Sequence, residues 1–221
     1  MLSEKRFSRV LAVLLFAVFI TAQAMTTGTA AFAEEKEIVR IEECNPLSSK
    51  EIAESNQENQ KYKKETLQRI AQEYHVDYDY LEYISHVEET FQLEPYELFA
   101  LIAIESKFVS STKMDGGSLS FNTTQMKLAT AKTAYMAITD YYHQDITFPD
   151  QARLTADRNY AAYLAGGYLR YLHDVYKNQG ESYTAYRMGI NGRLTYYQAY
   201  GNYESPYAVQ IKTLSQSFKQ Y

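Results

Sequence analysis

Apolar residues recur at helical spacing over most of this chain, and each recurrence predicts one helix. After a polar stretch from about Glu34 to Gln60, Leu67, Ile70, Ala71 and Tyr74 mark a first inward face. Leu81, Ile84, Val87 and Phe91 mark a second. Pro95 suits the first turn of a third helix running to about Phe108. The Ser- and Thr-rich Val109–Thr124 stretch breaks the pattern and reads as a long loop. A helix resumes near Gln125, with Leu128, Ala131, Tyr135, Ile138 and Tyr142 inward, and Phe148-Pro149 marks a turn. One long helix is expected over Ala152–Lys177, with Ala161, Leu164, Tyr168, Leu172 and Val175 on one face. A short helix follows around Ser182–Met188, then a partly irregular Gly189–Glu204 stretch. Ser205-Pro206 opens a final helix with Tyr207, Ile211, Leu214 and Phe218 inward. No strand-like alternation stands out. The expected fold class is all-α, a globule around a central buried helix.

That central helix carries the most informative residue. Leu98, Leu101, Ile102 and Glu105 fall at i, i+3, i+4 and i+7, so the Glu105 carboxyl points where the core-facing leucines point. A buried carboxyl is costly unless paired, hydrogen-bonded or protonated. Desolvation raises its pKa, which suits a general acid near neutral pH. The periodicity also fits a Glu105 one turn past the buried part, capping the helix or pairing with Lys107 or Lys113.

The start of the chain reads as an export signal. Lys5, Arg6 and Arg9 precede a mostly apolar Val10–Ala24 stretch, and Ala31-Phe32-Ala33 is a small-x-small cleavage pattern. The expected organisation is a signal over 1–33, a polar acidic leader over 34–60 and one domain over 61–221. Losing Glu4, Lys5, Arg6 and Arg9 with the signal takes the net charge from −5 to −7. That argues against nucleic-acid binding, which wants a basic face, and against docking on anionic lipid. No later segment is long and apolar enough to span a bilayer. Cys44 is the only cysteine, so no intramolecular disulfide is possible. The four histidines are scattered without metal-ligand spacing, no G-x-S-x-G elbow exists, and no cofactor or metal is expected. The 22 tyrosines suit either core edges or a sugar groove.

Glu94-Pro95-Tyr96-Glu97-Leu98 through Ile104-Glu105-Ser106-Lys107-Phe108 resembles the start of the catalytic module of soluble lytic transglycosylases. Gln125–Lys132, read Q-M-K-L-A-T-A-K, resembles that family's second helix, with its Gln and Thr-Ala pair. Gly167-Tyr168-Leu169, Ala185-Tyr186-Arg187-Met188-Gly189 and Ser205-Pro206-Tyr207 through Leu214 resemble its later segments, so the likeness covers about residues 93–218. This chain departs from the family at Asn122-Thr123-Thr124, where Gly-Leu-Met is usual, and at Arg187, where Asn is usual.

The resemblance implies a lysozyme-like fold and a secreted or cell-wall-associated monomer acting on the glycan strands of peptidoglycan. Glu105 would protonate the glycosidic oxygen of the MurNAc-β-1,4-GlcNAc bond, then take the proton of the MurNAc C6 hydroxyl as a 1,6-anhydro ring closes. Tyr186 would orient Glu105, Gln125 would contact the N-acetylated sugar, and Ser106 would steady the loop or touch sugar. Two other readings stay open. Asp115 facing Glu105 would suit a water-using muramidase, whereas as a turn residue before Gly116-Gly117 it would have no such part. A module that binds glycan without turnover also fits the departures.

Overall fold

A computed structural model of the protein describes residues 49–221, with side chains from 57 on. The signal segment 1–33, Cys44 and most of the leader lie outside the described residues. Helix α1 spans Ser49–Tyr74, so residues 49–60, read above as leader, belong to a helix. Helices α2 (Tyr78–Thr90) and α3 (Glu97–Ser106) follow. After them come a small sheet, helix α4 (Leu128–Met136) and one wide π-type turn over Ala137–Tyr141. Helices α5 (Gln151–Ala156), α6 (Arg158–Tyr176), α7 (Gln179–Tyr200) and α8 (Pro206–Phe218) complete the chain. The described chain is mostly helical, as expected. No helix among the described residues is long and apolar enough to cross a membrane.

The expected central helix is α3. Every residue from Glu97 to Ala103 is buried, so the helix is apolar on all sides. It packs against α2 and α8, while α6 packs against α2, α4 and α7. With water excluded, the N–H groups of its first turn need partners from the protein. Glu88 of α2 supplies them, accepting from the Tyr96 N–H at 2.9 Å and the Leu98 N–H at 2.7 Å. Tyr96 reaches this position with a left-handed φ of 65°, so Pro95 precedes the helix instead of forming its first turn.

The long loop is a correction. Residues 113–127 contain a three-stranded antiparallel sheet in the order β1-β2-β3. Strand β1 is Lys113–Asp115, β2 is Ser118–Phe121 and β3 is Met126–Lys127. Met114 pairs with Leu119 and Phe121 with Met126. These strands are too short to show alternation. The legible signal was Gly116-Gly117: both take positive φ, 56° and 79°, as a two-residue hairpin turn with right-handed strand twist requires. Helix α4 accordingly starts at Leu128, not near Gln125.

Two further boundaries differ. The single helix expected over 152–177 breaks at Asp157, whose side chain caps α6 by accepting from the Tyr160 N–H. Val175, expected inward, is exposed. The irregular stretch after Gly189 is helical to Tyr200, with the break confined to Gly189 at φ 73° and ψ 176°.

Gly166 and Gly167 set how closely α6 approaches its neighbours. A Cβ on Gly166 would lie 2.4 Å from Val87, and one on Gly167 2.4 Å from Ile138. Gly167→Ala is therefore expected to destabilise the protein by about 1–3 kcal/mol despite alanine's better helix propensity. Denaturant unfolding checks this, and a neutral or stabilising result contradicts the packing described.

Candidate active site

Helix α3 ends just after Glu105 because Lys107 and Phe108 both adopt left-handed backbone, φ 54° and 62°. Such conformations cost non-glycine residues about 1–2 kcal/mol each. Phe108 is held there by burial and by an edge-on contact with the Tyr74 ring at 5.2 Å. The chain thus turns sharply away and leaves Glu105 facing an open cleft of about 450 Å³. Residues of the hairpin (Lys113, Met114, Asp115, Ser120), of α7 (Arg187) and of α8 (Tyr207, Gln210) line the same cleft.

The Glu105 side chain is only 7% exposed. Tyr207 donates its hydroxyl to Oε1 at 2.6 Å, and Arg187 Nη1 lies 3.3 Å from Oε2. Burial raises the carboxyl's pKa above its ordinary 4.5; the Tyr207 hydrogen bond and the Arg187 charge oppose the rise, and the Asp115 charge adds to it. The carboxyl also sits at the negative end of the α3 dipole, which disfavours ionisation. Glu105 is neither the exposed cap nor the partner of Lys107 that periodicity left open.

The other expected residues divide. Ser106 does not line the cleft; its hydroxyl lies 2.6 Å from the Thr123 carbonyl and 3.2 Å from that of Ile102, tying α3 to the β2–β3 turn. Gln125 does line the cleft, but its amide head is engaged within its own loop. Its Nε2 donates to the Asn122 carbonyl at 2.6 Å and the Ser111 carbonyl at 3.0 Å, and its Oε1 accepts from Ser120 at 3.0 Å. Tyr186 is not hydrogen-bonded to Glu105; its hydroxyl reaches towards the Thr124 carbonyl at 3.5 Å. Burial, then the nearby Glu105 charge, hold that phenol well above its ordinary pKa, so it stays neutral. Tyr207 takes the orienting position instead. The sequence had placed it inward on the last helix without linking it to Glu105. Asp115 lines the cleft and pairs with Lys127 at 3.3 Å.

The departure at Asn122–Thr124 forms a buried polar fastening. Asn122 Nδ2 donates to the Leu154 carbonyl at 2.9 Å, while its Oδ1 accepts from Ser110 at 2.7 Å and the Thr123 N–H at 2.8 Å. The Thr123 hydroxyl meets that of Tyr80 at 2.6 Å. Among the described residues no cluster of three His, Cys, Asp or Glu side chains is suited to a metal ion.

Comparison with known protein families, characterised proteins and solved structures finds no match to this chain.

Because the Tyr207 hydrogen bond favours the ionised form of Glu105, Tyr207→Phe should move the Glu105 titration to still higher pH. Carbon-13 NMR of labelled glutamate side chains reads this directly. A downward shift contradicts the assigned donor.

Proposed function

We propose that this protein is an exported peptidoglycan lytic transglycosylase that cuts MurNAc-β-1,4-GlcNAc bonds with Glu105 as acid and then base. The observation that carries the reading is one desolvated carboxyl facing an open, polar-walled cleft, with a tyrosine hydroxyl fixing one of its oxygens. Burial keeps Glu105 protonated to higher pH than an ordinary carboxyl, as proton donation to a glycosidic oxygen requires. The departing proton leaves a carboxylate, which the Tyr207 hydroxyl and Arg187 guanidinium are positioned to stabilise. That carboxylate then accepts the proton of the MurNAc C6 hydroxyl as O6 bonds to C1, giving the 1,6-anhydro ring and restoring the acid. The sugar's N-acetyl group can assist at C1, so the route needs no second carboxylate. A lysozyme-like architecture belongs to this reading: a buried helix ends in the acid, and a small antiparallel sheet forms part of the cleft wall. The basic and apolar start of the chain supports export to the cell surface or wall.

A second reading, a muramidase that uses water, is favoured by one observation: Asp115 lines the same cleft as Glu105. Ordinary glycoside hydrolysis needs such a pair of carboxyls. Asp115→Asn would abolish cleavage by that route and leave the transglycosylase route running.

Glu105→Gln is expected to lower fragment release from purified peptidoglycan by about 10²–10⁴-fold, the usual contribution of a general acid–base group. Mass spectrometry of the wild-type products should show 1,6-anhydroMurNAc ends. Full activity in the variant contradicts the proposal. The rate should also fall as pH rises through the raised Glu105 pKa, because the first step needs the protonated form. A rate that climbs through that range contradicts the assigned role.

A further inference from the structure

The cleft holds two cations whose part goes beyond shaping a neutral-sugar site. Arg187 and Lys113 both line it beside Glu105. They are local features: the whole chain carries a net charge of −5. The third nearby cation, Lys127, is engaged with Asp115 at 3.3 Å. Among the described residues Lys113 has no carboxylate within salt-bridge distance, and the Arg187 guanidinium has one hydrogen bond, to Glu105.

That bond is a loose one. A single Nη1 approaches Oε2 at 3.3 Å, although a guanidinium can grip a carboxylate by two parallel bonds of about 2.7–2.9 Å. The Arg187 side chain is 48% exposed, and its guanidinium lies 5.9 Å over the Tyr207 ring. It is thus held at the cleft with most of its donors unused.

We infer that Arg187, with Lys113 beside it, recognises a carboxylate on the bound glycan strand and exchanges its contact with Glu105 for that group. The inference rests on the proposed function and narrows its substrate class to strands bearing an acid at the cleft. Two sources carry that chemistry in peptidoglycan: the free lactyl carboxylate of a strand stripped of peptide, and the carboxylates of a stem peptide. The exchange also serves the acid. The Arg187 charge favours ionised Glu105 in the free protein. Neutralising it with a substrate carboxylate removes that influence and raises the Glu105 pKa further once the strand is bound. Arg187 then acts twice, holding the ligand and releasing the acid.

The test is calorimetric binding to the full protein carrying Glu105→Gln, which stops turnover and frees Arg187. Three GlcNAc–MurNAc oligomers of one length serve as probes: with free lactyl carboxylates, with those groups converted to neutral methylamides, and with stem peptides attached. An acidic oligomer should bind about tenfold more tightly than the methylamide, as a new hydrogen bond to a charged group would give. The preference should shrink at high salt. Adding Arg187→Asn should erase the difference between the acidic and methylamide oligomers. Preference for the free-acid oligomer assigns the lactyl group, and preference confined to the peptide-bearing oligomer assigns the stem; both support the inference. Equal binding of all three, or a preference that survives Arg187→Asn, overturns it and leaves the proposed function standing. No binding of any oligomer, with no fragments released by the wild type, overturns both.

Discussion

The placement of this site depends on how a helix with no solvent-facing side is anchored. Helix α3 is buried from Glu97 to Ala103, so its free N–H groups must be met inside the protein. Glu88 meets two of them from α2, and Glu97 adds a second support by accepting from the Glu94 N–H at 3.1 Å and contacting His173 at 2.5 Å. The anchor is a carboxyl in a dry place: burial pushes Glu88 up to about 8, against the pull of the backbone donors it serves. Fixing the start of α3 against α2 and α6 fixes its axis and rotation. The direction in which Glu105 emerges one end later follows from that.

The other end shows the same economy. Two consecutive left-handed residues, Lys107 and Phe108, stop the helix without a glycine. Strain of this kind persists only where surrounding structure over-determines it. Here the Ser106 hydroxyl binds the helix end to the β2–β3 turn, and the turn is itself fastened to α5 by Asn122 and to α2 by the Thr123–Tyr80 pair. Glu105 is left largely buried, which raises its pKa, yet facing the cleft. Burial pushes its pKa one way and Tyr207 and Arg187 push it back. A group set between opposing influences responds strongly when one partner is drawn away.

Periodicity is a good guide where one face is buried over several turns, which is why α2, α8 and the second half of α1 were legible, and α3 stood out by its unbroken apolar run. Periodicity was silent on the small sheet, whose strands of two to four residues are shorter than any alternation that could be counted. The one usable signal was Gly116-Gly117, and it was read as a loop feature instead of a hairpin turn. Helix breaks set by one capping group, as at Asp157, leave the apolar spacing intact and so go unseen. At the site, Glu105 was legible because a carboxyl at a core-facing position is anomalous. Tyr207 was not, since an inward tyrosine on an amphipathic helix reads as core until the fold brings α8 to the end of α3. Gln125 lines the cleft and Ser106 does not, and the polar groups of both chiefly fasten the loop. Where a changed groove was expected at Asn122-Thr123-Thr124, Asn122 and Thr123 form a buried hydrogen-bonded fastening.

In the proposed reaction Glu105 first gives a proton and then drives closure by a sugar hydroxyl instead of water. Digesting purified peptidoglycan in water enriched in heavy oxygen, and weighing the new MurNAc ends, tests it most directly. Anhydro ends that carry no oxygen from the solvent are expected. Reducing MurNAc ends carrying one solvent oxygen each would contradict it and make water the nucleophile.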